Sequence, residues 1–357
     1  MPEYQFVDHP DTIMKNLHGH DQLGVDTEFM REKTYFAQLC LIQISTPDDN
    51  YCVDPLTENA QDQFWDALLA ASWVVHSARQ DIEVIFQLTN TMPREILDTQ
   101  IAAGLLGLPP QIGYAALVKE LFDADMAKSH TRADWTRRPL PDAFLQYAAE
   151  DVEYLLPAAK ILAERLDKKN RLEWAQQDSS LLLDPALYDI SGDKAIDRLK
   201  GARNFRGQKR AAAVKLAMWR EAEAIRRNRP RQWILRDNVL LDIAYKLPSS
   251  SKQLSNIEGV ATKFIDRVGE QLLKAVAATN DDDGSYEPPR PPDEAQKALL
   301  KEMQSLISAC AQDLDLAAET IAPKRELSAI IRSDDRETRV FTGWRRELIG
   351  AQLLKLL

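Results

Sequence analysis

Residues 23–29 read Leu-Gly-Val-Asp-Thr-Glu-Phe, "LGVDTEF", an apolar, strand-like stretch broken by two carboxylates. In an extended strand the side chains alternate, so Asp26 and Glu28 share one face, roughly 6–7 Å apart along the chain. Val25, Thr27 and Phe29 take the other face. Like charges on one face repel, and burying either unpaired is costly. A proton, a basic side chain or a bound cation must neutralise them. The pattern alone is common: Asp-x-Glu occurs four times, at Asp26, Asp81, Asp151 and Asp335. An exposed or arginine-paired edge strand is the plain alternative, and the rest of the chain has to decide.

Around this stretch, "YQFV", "AQLCLIQIS" and "NYCVDP" read as further strands with short or polar connections. "SWVVHS" follows a helix over 62–70, and "REILDT" follows another over 79–88. Hairpin-connected strands followed by strand–helix–strand units predict a mixed sheet of five to six strands with flanking helices, an α/β domain over residues 1–190. Further helices are expected near 98–106, near 113–122 and from 142 to about 169, where Pro157 should kink or divide the pattern. Residues 193–278 are helical throughout. The stretch "TNDDDGSYEPPRPPDE" has linker composition, assigned to 279–292. A second small helical domain is expected over 293–357.

The chain has 357 residues, 45% of them hydrophobic, enough for two or three globular domains. No apolar run approaches the length of a membrane span, and the start lacks a signal-peptide layout. The three cysteines are scattered, and Cys40 and Cys52 read as small buried hydrophobes. The histidines show no metal-ligand spacing. A reduced, cytoplasmic protein is expected, with no membrane partner and a monomer as the simplest state. The net charge of −10 hides a segregation: residues 198–236 carry 13 Lys or Arg against Glu221 and Glu223 alone. A concentrated basic segment on an acidic chain points to a nucleic-acid contact. A solvated basic face is the competing explanation.

Two more acids stand out by position. Asp81 follows the strand "WVVH" and falls in the first turn of the next helix, where an acid often serves only the helix end. "LQYAAEDVEYLL" sets Tyr147 and Asp151 four residues apart on one helix face. Convergence of Asp26, Glu28, Asp81 and Asp151 in one cleft would be untenable without cations. Two hard divalent ions, Mg²⁺ or Mn²⁺, suit oxygen ligands and the charge, and such a pair clamps a phosphate for in-line displacement. Tyr147 would then aim the attacking water.

The ordered set "VDTEF", the Asp81 motif and "YAAED" resembles the three exonuclease motifs of the DEDD superfamily in its tyrosine-containing branch. "KSHTRADWTRRPL" followed by "QYAAEDVEYLLP" is similar to the ribonuclease D family in particular. Segments 200–280 and 293–357 resemble paired helicase-and-RNase-D C-terminal (HRDC) domains. The resemblance implies an RNase H-like first domain with Asp26, Glu28, Asp81 and Asp151 on metal and Tyr147 on water. It implies a 3′–5′ exoribonuclease that releases 5′-mononucleotides from precursor tRNA and other structured RNA with a single-stranded 3′ end. Lys128 and Arg138, with Arg203, Arg206, Lys209 and Arg210, are the candidate phosphate contacts. Trp219 and Trp233 are available for stacking, although core packing is the commoner fate of a tryptophan.

Two rival functions remain at this point. A single-stranded DNA 3′–5′ exonuclease would use the same site, but no polymerase region accompanies it. A non-catalytic RNA-binding protein has no reason to keep four acids and Tyr147 together.

Overall fold

The computed structural model describes residues 3–56, 62–126, 133–189, 192–278, 290–333 and 335–357. The chain divides into two units. Unit 1 comprises residues 1–30, 39–188 and 292–357, and unit 2 comprises residues 31–38 and 189–291.

Unit 1 is built on a six-stranded sheet: β1 (Gln5–Val7), β2 (Gln22–Met30), β3 (Gln38–Ser45), β4 (Asn50–Val53), β5 (Ser72–Val75) and β6 (Glu95–Asp98), in the order β1-β4-β3-β2-β5-β6. β4 runs antiparallel to β3 and parallel to β1, while β5 runs parallel to both β2 and β6. The sheet is therefore mixed, as the succession of hairpins and crossover units predicts. Leu39 to Ser45 are all buried, because helices cover both faces of the central strands.

Register sets the position of the acids. Only Gln22–Gly24 of β2 pair with β5, opposite Ser72–Val74, so the half of β2 carrying Asp26 and Glu28 projects past the carboxyl end of its parallel neighbour. Crevices beyond the carboxyl ends of parallel strands are where open α/β sheets bind ligands. The helix Leu155–Lys168 packs directly on Gly24, where an added Cβ would fall 2.1 Å from Ser45 Oγ and 3.1 Å from Leu155 Cβ.

Helices form over Asp62–Ala70, Arg79–Thr89, Thr99–Gly104 and Tyr114–Phe122, close to expectation. The long pattern after Pro141 divides into Asp142–Glu153 and Leu155–Lys168. Pro157 has no N–H for the preceding turn, and the break falls at Tyr154 just ahead of it. The helix Leu172–Ser180 carries a polar sequence and was not expected.

Residues 292–357 do not form a unit of their own, contrary to the expected second small domain. Met303, Ile307, Ile321, Leu327 and Phe341 share one buried core with Ala102, Leu117, Leu162 and Ala175. Trp344 stacks on Trp174 with ring centroids 4.3 Å apart. Arg345 grips Asp178 through two bonds of 2.5 and 2.7 Å and also donates to the Thr320 and Ile321 carbonyls. The amphipathic pattern of 293–357 shows an apolar face but not what covers it.

In unit 2 the helices Gly207–Arg227, Asp237–Lys246 and Thr262–Ala277 enclose a core of Leu216, Leu240, Ile243, Val268 and Leu272. The short segment 31–38, between β2 and β3 in sequence, is built into this unit. Tyr35 packs with Ala224 and Ile234, and its hydroxyl donates to Glu221 at 2.5 Å. Asn228, in the left-handed region, ends the first helix and accepts from the Tyr35 and Phe36 backbone N–H groups. The linker assigned to 279–292 lies outside the described residues up to 289. Among the described residues no helix is long and apolar enough to cross a membrane.

Candidate active site

β2 delivers Asp26 and Glu28, the helix Arg79–Thr89 delivers Asp81 from its first turn, and the helix Asp142–Glu153 delivers Tyr147 and Asp151. All five lie in one electrostatic neighbourhood. Burial first, then the charges of Asp81, Asp151 and Glu28, hold the Asp26 carboxyl well above the usual range. Burial, with Asp151 and Asp81 nearby, pushes Glu28 up to about 8. Asp81 and Asp151 each rise to about 7, again chiefly through burial. Near neutral pH this site keeps protons that ordinary carboxylates would have lost.

Two hydroxyl donors hold the acids in place. Tyr147 donates to Asp151 one helical turn away, and burial followed by the Asp151 charge keeps its phenol protonated far above the ordinary range. The ring packs against Trp135, with centroids 6.3 Å apart. Thr27 Oγ1 donates to Asp81 Oδ1 at 2.5 Å.

Sequence reasoning missed a supporting residue, Asp98. Its buried carboxylate at the end of β6 accepts from the Ser77 and Ala78 N–H groups at 3.1 and 3.0 Å. It also accepts from Gln100 and Ile101, capping the next helix. Ser77 has a φ of 60°, so this carboxylate pins the turn that leads into Asp81. The signal was present in "REILDT", where an acid and a Thr follow a strand at a helix start. Tyr114 was missed too: it lies near Asp151 and Asp26, and its hydroxyl accepts from the Tyr154 N–H at 3.1 Å.

The proposed phosphate contacts fare differently. Lys128 lies outside the described residues. Arg138 is engaged internally: it donates to both Asp54 oxygens at 2.5 and 2.8 Å and to the Trp135, Arg137 and Cys40 carbonyls. Those bonds occupy all five guanidinium hydrogens, so as folded it serves the architecture and has none left for a phosphate. Asp54 lies 84 residues away, beyond the reach of local pattern. In unit 2, Arg203 and Arg206 are exposed, Lys209 Nζ sits 3.4 Å from the Tyr245 ring centroid, and Arg210 donates to the Ala202 carbonyl.

The acids fit hard divalent cations by donor type and by uncompensated charge. Among the described residues, however, no three His, Cys, Asp or Glu side chains are drawn together as a ready-made cage.

Comparison with known proteins identifies the family. Residues 7–167 match the 3′-5′ exonuclease family model, and residues 209–276 match the HRDC domain. Divalent metals are the normal cofactors of such exonucleases. Ribonuclease D of Gluconacetobacter diazotrophicus is 34% identical, covering 96% of this chain and 89% of its own. That of Acidiphilium cryptum is 36% identical, covering 93% and 86%. The crystal structure of Escherichia coli RNase D, described as an exoribonuclease involved in structured RNA processing, superposes with a TM-score of 0.89 at 26% identity. It covers 99% of this chain and 98% of its own. The chain thus belongs to the ribonuclease D family and is a 3′–5′ exoribonuclease of RNA processing.

Proposed function

We propose that Asp26, Glu28, Asp81 and Asp151 hold two divalent cations, Mg²⁺ or Mn²⁺, and that Tyr147 positions the attacking water. The observation carrying this reading is the set of four neighbouring acids, all displaced upward by burial and none given an arginine partner by the bonds described above. When bound, such cations supply charge neutralisation and polarisation of the scissile phosphate. The chain's own residues prepare the place. The Tyr147 phenol stays protonated and fixes Asp151, Thr27 fixes Asp81, and Asp98 fixes the turn that carries Asp81.

The proposed substrates are precursor tRNA and other structured RNAs with a single-stranded 3′ end, released as 5′-mononucleotides by a monomeric enzyme. Exposed Arg203 and Arg206, with Lys209 and Arg210, are assigned to phosphate contacts in unit 2. A cytoplasmic setting suits RNA substrates and three cysteines that form no disulfide.

The test is hydrolysis of 5′-labelled RNA and single-stranded DNA with Mg²⁺, Mn²⁺ or chelator, products resolved by length. Single-nucleotide shortening of RNA from the 3′ end, stopped by chelator and by Asp151→Asn, is expected. Cleavage that survives both would overturn the assignment.

A further inference from the structure

Unit 2 contains a cleft of ≈ 370 Å³ whose walls include Arg31, Arg198, Arg220 and Arg231, against Glu32 and Asp237. Beneath it, Glu221 is tied to Arg231 by bonds of 2.6 Å to each oxygen and lies 3.5 Å from Arg198. Four arginines and three acids thus line or underlie the cleft. Arg220 is 3% exposed, and its Nη1 donates to the Leu235 carbonyl and to Asp237. Its buried Nε finds no acceptor among the described residues, an expensive state for a charged group.

The second observation adjoins this one. Trp233 follows lining residues Arg231 and Gln232 in the same short helix, yet it is 60% exposed. The Arg229 guanidinium lies 5.9 Å from its ring centroid. An exposed tryptophan paired with a guanidinium offers a π-face beside a cation, next to an arginine-lined space.

We propose that this face is a single-strand RNA site in which a backbone phosphate enters the arginine cleft and the adjoining base stacks on Trp233. It rests on the exoribonuclease reading and extends it to a part of the chain remote in sequence from the catalytic acids. The alternation of anion and flat ring is the repeat of a nucleotide strand. A peptide of Asp and Glu alone would satisfy the arginines but has no ring for Trp233. Such a site grips RNA of any sequence, because phosphates and π-faces are common to all nucleotides.

The experiment uses the full chain carrying Asp151→Asn and an RNA strand of about 12 nucleotides, within the span that stacking surfaces cover. Binding is titrated against salt. Trp233→Ala is expected to weaken binding about tenfold, with Trp233→Phe restoring most of it, on the scale of one lost base stack. Arg198→Gln should lower the slope of log affinity against log salt by about 0.7. In a chain with the acids intact, Trp233→Ala should reduce kcat/KM for the long strand about tenfold relative to a trinucleotide. Equal binding by Trp233→Ala and the parent would overturn the site, as would equal loss on both substrate lengths. Tighter, Trp233-dependent binding of a polyglutamate peptide would also overturn it in favour of a protein partner. Failure of the unsubstituted chain to cut either substrate, with Trp233-dependent RNA binding intact, would leave this site standing and sink the catalytic reading instead.

Discussion

Glu221 in unit 2 and Asp26 in unit 1 are both withdrawn from water, and the protein handles them in opposite ways. Burial would raise Glu221, but donors from Arg231 and Tyr35 outweigh it and leave the carboxyl below its ordinary range. Glu223 is likewise held down, first by Arg226 and then by Arg227. Asp26 is surrounded instead by Asp81, Asp151 and Glu28 and stays well above the range. A buried acid with a fitted guanidinium is part of the architecture, as Asp54 and Asp178 also show. A buried acid among other acids has its counter-charge still to come.

The largest expected effect tests that contrast directly. Asp151→Asn should cut RNA hydrolysis by about a hundredfold or more, the scale of losing a preorganised electrostatic contact. It should also raise the melting temperature in chelator, since one repelling charge is gone. Near-normal turnover with saturating metal would erase the distinction between the two acid sets. Tyr147→Phe removes only the hydroxyl. Its expected signature is a kcat reduced by up to about a hundredfold with KM little changed, since misplacement rather than lost affinity is the fault. An unaltered kcat would reduce Tyr147 to a packed ring.

The basic side of the comparison is sharpened by salt. Replacing Arg203, Arg206, Lys209 and Arg210 together by Ala should lower the salt slope of RNA binding by about 3 units. Parallel lines would show a solvated face. The smallest effect is on stability. Glu28, Asp81 and Asp151 have raised folded pKa values, so their contribution is fully present below about pH 4 and is lost as pH rises through about 7 to 8, and Asp26 acts in the same direction. Glu221 and Glu223 have depressed values, so theirs is present above about pH 4.5 and is lost on acidification. In chelator, melting should therefore fall by a few degrees between pH 5 and pH 8, about 2–4 °C for each kcal/mol. Asp151→Asn should flatten that limb, while Glu221→Gln should alter only the acid limb. Superimposable curves for all three proteins would show that neither set senses pH.

What could be read from the sequence follows the range over which its signals act. Alternation exposed Asp26 and Glu28, four-residue spacing exposed Tyr147 and Asp151, and helix-start position exposed Asp81. Each is a signal spanning a few residues. The Thr27 bond to Asp81 crosses 54 residues, and Asp54 to Arg138 crosses 84. Periodicity identifies an apolar stripe without naming its partner, which is why residues 293–357 were expected to stand alone. The helix Leu172–Ser180 escaped because six of its nine residues are polar, leaving only Leu172, Trp174 and Ala175 to mark an apolar face.

The return of residues 292–357 to unit 1 has a consequence for biosynthesis. Ala102, Leu162 and Ala175 cannot be sealed from water until Ile330, Phe341 and Leu353 have been translated. A ribosome that stalls after residue 290 therefore yields a polypeptide bearing all five residues of the proposed site on an unfinished core. Open apolar surface of that kind is what chaperones and proteases recognise. Maturation of the nuclease is thereby tied to completion of its own message.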